Sequence, residues 1–330
     1  MRNNAVAVKF LTPEDNIPLG YKKKSLHMVF DVKMDFTRKA CLVAGGHMTD
    51  PPSSLTYSSI VSRDSVQIMF LIAALNDLQL LLADIGNAYL NAPNREKAYA
   101  IAGKEFGSHA GERVVIVKAL HGLKSAGAAW RAHLASSLTS LNYKSCLADP
   151  DIWLREANLP NGSTYYEFLA VYVDDILCIS NTPQETMKCI SELYRIKENS
   201  INKPERYLGA DVIQYFLPDD SLKPRWGLSS HHYVTESIKN AEVELNKVGK
   251  ALSNNVSTPL STNYRPELDV SPVSSPEQVS YYQNLIRVLR WIIEFGHIDI
   301  HAHVAMLSSF LALPREGHLQ EALHIFAYLK

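Results

Sequence analysis

Phe168-Leu-Ala-Val-Tyr-Val-Asp174-Asp175-Ile-Leu-Cys-Ile179 sets two adjacent aspartates in the middle of an apolar run. Strand-forming residues flank them on both sides, which predicts strands over 165–173 and 176–180 joined by a tight turn at the acids. Charged side chains are rarely left in such a place without a partner. A divalent cation partners two neighbouring carboxylates readily, and carboxylate-held metal in a cleft points to phosphoryl transfer.

Working outward, the same hairpin organises its neighbours. Leu80-Leu-Leu-Ala-Asp84 reads as a short strand ending on an acid. Trp130, Leu134, Leu138 and Leu141 recur at helical spacing and predict an amphipathic helix over 126–141. Thr182-Pro183 opens a second helix over 184–194, and 207–214 reads as a further strand. Strand, helix, strand, strand, helix, strand is the split βαβ, ferredoxin-like order of an α+β fold. That topology brings the end of the first strand beside the central hairpin, so Asp84 is expected to meet Asp174 and Asp175. Ahead of this unit a helix is expected from near Ser62, with Asp64 as its N-cap, Gln67 three residues on and the apolar run 68–75 buried on most sides. After it, 252–278 reads as a Ser/Pro/Asn-rich linker, followed by helices near 279–296, 301–312 and 317–330.

Bulk properties narrow the class. The chain has 330 residues, enough for two or three subdomains, and no apolar run of about 18 residues to span a membrane. Cys41, Cys146, Cys178 and Cys189 are widely spaced, without a C-x-x-C pair, so reduced thiols are expected. Net charge is −1, which weighs mildly against a nucleic-acid binder. A basic stripe, Lys22-Lys23-Lys24 with Lys33, Arg38 and Lys39, offsets this locally; a solvated charged face is the plain alternative.

Three converging carboxylates resist ionising together. Two Mg²⁺ ions (with Mn²⁺ as a substitute) would relieve that repulsion and activate a primer 3′-hydroxyl. Asp84-Ile-Gly86-Asn87-Ala88-Tyr89 then places small residues beyond the acid, where backbone N–H groups could reach phosphate oxygens. Tyr89 would stand under the sugar and exclude a 2′-hydroxyl, although alone it reads equally as a core aromatic. Leu120-His-Gly-Leu-Lys124-Ser-Ala-Gly-Ala-Ala-Trp130 reads as a turn into a helix whose N-terminus could face template or nucleotide.

Together these stretches resemble the reverse transcriptases of copia-type LTR retrotransposons. The resemblance runs through Val32-Lys-Met-Asp-Phe-Thr-Arg-Lys39, Leu42-Val-Ala-Gly-Gly-His47 and Tyr57-Ser-Ser-Ile-Val-Ser-Arg63. It continues through Asp84-Ile-Gly-Asn-Ala-Tyr-Leu-Asn91, Leu120-His-Gly-Leu-Lys124, Tyr172-Val-Asp-Asp175 and Tyr207-Leu208-Gly209. Leu289-Arg-Trp-Ile-Ile293 and Pro314-Arg-Glu-Gly-His318 extend it to the end of the chain. It implies a right-hand polymerase: fingers and the start of the palm over 1–83, a ferredoxin-like palm over 84–218, and a thumb with a helical connection over 219–330. Asp84, Asp174 and Asp175 match its catalytic, metal-binding carboxylates and Tyr89 its sugar-discriminating position. Arg38, Lys39, Gly86, Asn87, Ala88 and Lys124 fall in its nucleotide-binding segments. Tyr172, Tyr207, Leu208 and Gly209 match its primer-binding ones. The implied partners are an RNA or DNA template, a primer and dNTPs, without a membrane, and the implied compartment is a cytoplasmic particle.

The chain departs from the family pattern at Cys41 and His297, each in place of an arginine, and at Arg287 in place of a glycine, where a long side chain is expected to crowd a helix packing. Its start and its stop inside helical sequence imply truncation, the latter before an RNase H domain. Three readings follow: an RNA-directed DNA polymerase domain, a catalytically silent remnant with weak nucleic-acid binding, and a two-metal nuclease. Tyr89 and the primer-binding match argue against the nuclease.

Overall fold

The computed structural model describes residues 7–32, 38–46, 56–217, 220–294 and 296–330. Residues 33–37 and His47, parts of the matched N-terminal stretches, lie outside them, as does Lys33 of the basic stripe. The chain divides into two compact units, residues 1–203 and 204–330.

The first unit opens with β1 (Val8–Phe10), β2 (Lys22–Lys23) and the hairpin β3 (Leu26–Val32) and β4 (Arg38–Ala44). Then come α1 (Arg63–Leu75), β5 (Gln79–Asp84), the short α2 (Ala88–Asn91), β6 (Ala98–Ile101) and β7 (Arg113–Ile116). The helix α3 (Ala126–Ser140) leads to β8 (Lys144–Ser145), β9 (Ile152–Asn158), β10 (Thr164–Tyr172), β11 (Asp175–Ser180) and α4 (Pro183–Leu193). The second unit holds β12 (Arg206–Tyr207), β13 (Ala210–Leu217) and β14 (Asp220–Ser229). Four helices follow: α5 (His231–Lys247), α6 (Pro276–Glu294), α7 (His301–Ser308) and α8 (Glu316–Leu329).

The expected hairpin is the centre of a five-stranded antiparallel sheet, ordered β5-β11-β10-β9-β8. Period-two alternation sorts its residues between two faces. Leu81, Ala83, Ile176 and Cys178 join the core formed with Trp130, Leu134 and Leu138 of α3 and Met187 and Ile190 of α4. Leu177 and Ile179, of the other parity, are equally buried, and α1 lies against β11. Burial on both faces explains why β11 reads as an unbroken apolar run.

Three expectations need correction. The strand at 207–214 does not complete this sheet: Tyr207 and 210–217 belong to the separate sheet β12-β13-β14 of the second unit. The outer edge of β5 is lined instead by the irregular segment 195–202. Leu82 and Asn202 exchange backbone hydrogen bonds of 2.8 and 3.2 Å, and Gly86 N–H donates to the Arg195 carbonyl at 2.8 Å. A strand edge needs its N–H and C=O groups satisfied, and a nearby irregular segment does this as well as a strand. Second, the N-cap of α1 is Ser62, whose hydroxyl accepts from Ser65 N–H at 3.1 Å, while Asp64 sits in the first turn. Third, α1 is buried on one side only: Val66, Met69, Phe70, Ala73 and Ala74 face inward, whereas Ile68, Leu71 and Leu75 are exposed. The apolar run continues around a helix that meets the sheet along a single stripe.

In the second unit, α5, α6, α7 and α8 enclose a core around Tyr282, Leu285, Leu289, Ile325 and Phe326. Arg287 crowds nothing: it lies exposed on α6 and donates to Asn284 Oδ1 at 2.7 Å. His297 stands 3.4 Å from Asp299. Tyr207-Leu208-Gly209 forms the tight turn between β12 and β13, with Leu208 at φ 51° and Gly209 at φ 86°. A Cβ on Gly209 would come within 2.8 Å of the Trp291 ring, so two of the quoted motifs, Tyr-Leu-Gly and Leu-Arg-Trp, are one packing contact. All four cysteines are free.

Candidate active site

β5 and β11 pair antiparallel with Asp84 directly opposite Asp175 in the register. Their side chains leave the sheet on the face opposite α3 and α4. Asp174 follows Val173 in the turn, and its carbonyl accepts from Ile85 N–H at 2.8 Å. The ladder thus brings Asp84 beside a pair of acids remote from it in sequence.

The turn itself is strained. Val173 adopts φ 58°, a left-handed backbone that a β-branched residue rarely takes. Such a conformation persists only where neighbours over-determine it. Here the indole N–H of the buried Trp130 donates to the Val173 carbonyl at 2.7 Å, while the Ile85 bond holds the next residue. Trp130 was legible as a helix-face aromatic, but its role in clamping the acidic turn was not.

The electrostatics follow from this crowding. Burial first, then the charges of Asp174 and Asp84, push the Asp175 carboxyl up to about 6, against the opposing pull of Lys197. Lys197 lies in the segment that edges β5. Its ammonium is 2.5 Å from Asp84 Oδ2 and 3.7 Å from Asp174 Oδ2. Burial works to lower the lysine's pKa, and the hydrogen bond to Asp84 with the three carboxylate charges overcomes it, so the net shift is upward. Sequence reading missed Lys197; the only signal was a basic residue just beyond the helix that follows the acidic hairpin.

Tyr89, in α2, packs its ring 4.7 Å from His121. Burial and then the negative charge of Asp174 raise its phenol pKa, which places the ring in the field of the acids. Partial burial and the charge of Lys39 hold His121 below the usual imidazole range, opposed by Asp174. Tyr89 and His121 thus both lie in the field of Asp174, and His121 also in that of Lys39. Lys39 and Arg38 are exposed on β4, opposite Asp31 and Val32 in the hairpin register. Lys124 is partly exposed in the turn before α3. Cys41 sits opposite Val29 on β4, partly buried. Asn87 caps α2 from a left-handed conformation at φ 53°, ahead of the buried Ala88. The Gly86 N–H donates to the Arg195 carbonyl. Tyr172 pairs with Asp175 in the hairpin, and its phenol is raised by burial and then by that acid.

Two structural couplings hold this region together. Ala44 N–H donates to the His121 carbonyl at 2.8 Å, and a Cβ on Gly122 (φ 87°) would lie 2.0 Å from the Ala44 carbonyl. The end of β4 and the Leu120–Lys124 turn are thus in backbone contact that only glycine permits. Lys24 leaves the expected basic stripe: it is buried and pairs with Glu96 at 3.3 Å. The other oxygen of Glu96 accepts from the Ser125 N–H and hydroxyl at 3.0 and 2.9 Å, so a residue from outside the helix caps α3.

Among the described residues, no three His, Cys, Asp or Glu side chains stand grouped as ready ligands of a metal ion. The donor chemistry nevertheless fits a hard divalent cation: three carboxylates, one of them raised by burial and by the charges of the other two, with a lysine ammonium near two of them.

The fold and the site define a class of protein: a mixed α+β chain with paired acids at the turn of the central hairpin of an antiparallel sheet. The family described as "Reverse transcriptase (RNA-dependent DNA polymerase)" matches residues 11–251, and the chain belongs to it. It is 25% identical over 300 residues to the retrovirus-related Pol polyprotein from transposon RE1 of Arabidopsis thaliana, covering 88% of this chain and 19% of that protein. It is 26% identical over 252 residues to the transposon Ty5-1 protein of Saccharomyces cerevisiae, 74% of either chain. The Pol polyprotein from transposon TNT 1-94 of Nicotiana tabacum matches at 23% over 329 residues, 95% of this chain and 24% of its own length. These relatives are copia-type, as the motifs implied. A solved foamy viral protease–reverse transcriptase in complex with double-stranded DNA aligns over 98% of this chain and 45% of its own, at 14% identity and a TM-score of 0.46. No helix among the described residues is long and apolar enough to cross a membrane.

Proposed function

We propose that this chain is an RNA-directed DNA polymerase domain, extending a primer 3′-hydroxyl with dNTPs on an RNA or DNA template. The observation that carries this reading is the register of β5 and β11, which sets Asp84 opposite Asp175 with Asp174 one residue away in the turn. Asp84, Asp174 and Asp175 would hold two Mg²⁺ ions. Such ions lower the pKa of the attacking hydroxyl and stabilise the leaving pyrophosphate.

The remaining roles belong to the chain itself. Trp130 and Ile85 fix the strained turn, so the acids stand in position before substrate arrives, and preorganisation of this kind supplies much of catalysis. Tyr89, backed by His121, presents a ring that would exclude a ribose 2′-hydroxyl. Arg38, Lys39 and Lys124 supply positive charge for the triphosphate. In this reading the β3–β4 hairpin belongs to the fingers, the five-stranded sheet to the palm and the helices of the second unit to the thumb. The turn Tyr207-Leu208-Gly209 would contact the primer.

Primer extension on poly(rA)·oligo(dT) with Mg²⁺ tests the reading. Wild-type chain should extend and Asp174→Asn should not. Equal extension by both proteins would remove the acids from the chemistry.

A further inference from the structure

Lys197 is held where a cation belongs. Its backbone N–H donates to the Asp84 carbonyl at 2.9 Å, and Ile196 bridges to Ile85, so its Cα cannot drift from the end of β5. From that anchor the ammonium lies 2.5 Å from Asp84 Oδ2 at the end of β5 and 3.7 Å from Asp174 Oδ2 in the turn. The side chain is 47% exposed, so its four-carbon stem has solvent to swing into. A divalent ion drawn to the same oxygens would meet this positive charge first. An ammonium and a metal ion held on the same carboxylate oxygen repel each other, so each weakens the other's hold.

We propose that Lys197 is the resident counter-ion of the three carboxylates, and that it competes with the divalent cation for Asp84 and Asp174. In the metal-free protein it neutralises acids that would otherwise repel one another. On metal binding its ammonium swings outward and the carboxylates turn to the ion. The inference rests on the reading that these acids hold the cation.

The test is direct binding of Mn²⁺ alone, without nucleic acid or nucleotide, to the full chain at one fixed pH, followed by electron paramagnetic resonance. Lys197→Met should bind Mn²⁺ about tenfold or more tightly than wild type, a change of about 1.4 kcal/mol or more. Lys197→Arg, which keeps the positive charge, should stay near wild type, and Asp84→Asn added to Lys197→Met should erase the gain. In chelator-treated buffer Lys197→Met should also melt below wild type, with the deficit recovered on adding Mn²⁺. Lys197→Gln serves in place of the methionine variant if that protein does not fold. Equal or weaker Mn²⁺ binding by the neutral variants, with binding still lost in Asp84→Asn, would overturn the competition and leave the carboxylate site standing. Mn²⁺ binding that ignores Asp84 in every variant would overturn both.

Discussion

Replacing Trp130 with phenylalanine probes the link between α3 and the acidic turn. Phenylalanine keeps a ring in the core and against Tyr194, whose ring centroid lies 5.3 Å away, and removes the N–H that donates to the Val173 carbonyl at 2.7 Å. A hydrogen bond of this kind contributes about 1 kcal/mol net; a fully buried carbonyl left without its donor costs about 1–3 kcal/mol, and the half-buried Val173 carbonyl falls toward the low end. The left-handed Val173 adds a second term, since such a backbone stores about 1–3 kcal/mol and loses one of the two contacts that hold it. Relaxation of the turn returns part of that strain, so the loss of stability should settle near 2 kcal/mol. Urea unfolding followed by circular dichroism should show a lower midpoint for the first unit. Primer extension should fall further than stability, because a displacement of about 1 Å at reacting groups can cost a hundredfold in rate. Adding Val173→Gly should recover stability in part, since glycine adopts the left-handed backbone freely. A Trp130→Phe protein with an unchanged midpoint and full extension would refute the clamp.

Glu96 contributes a pH dependence that one substitution isolates. Burial raises its pKa, and the hydrogen bonds from Ser125 with the charge of Lys24 more than reverse this, holding the carboxyl below its ordinary 4.5. A depressed folded-state pKa stabilises the fold above the unfolded value, and that stability is lost as pH falls through the folded value. The melting-temperature gap between wild type and Glu96→Gln should therefore be widest at neutral pH and close in acid below about 4.5; a gap independent of pH would exclude the ionised pair. Gly122→Ala should destabilise by at least about 1–3 kcal/mol, since alanine is strained at that φ and its Cβ would meet the Ala44 carbonyl, and thermal melting will show it. Tyr89→Val should admit ribonucleotides in primer extension, whereas intact discrimination would return Tyr89 to the role of a packing aromatic.

The central hairpin of the first unit, with the strand and helices packed on it, is legible in the linear chain because its signals are local, whereas the strands β6 to β9 are not. The hairpin over Thr164–Tyr172 and Asp175–Ser180 follows from β-branched and aromatic runs on either side of two acids, and α3 from Trp130, Leu134 and Leu138 at helical spacing. The convergence of Asp84 on Asp175 was readable only through topology, and the register bears it out. The fourth strand failed for the same reason that the others succeeded. Tyr207 and its neighbours have strand propensity, but propensity does not say which sheet a strand joins.

The chain by itself determined which residue types are present and where short-range periodicity puts them: the paired acids, the aromatic five residues after Asp84, the glycines of Leu-His-Gly and Tyr-Leu-Gly. Tertiary structure alone decided what those residues meet. It set Lys197 on Asp84, Trp130 on Val173, Glu96 at the start of α3, and Gly122 against the Ala44 carbonyl. Each of these joins residues too far apart for any local rule to pair them. Charge, hydrogen bonding and close packing act through space, and only the folded backbone sets those distances.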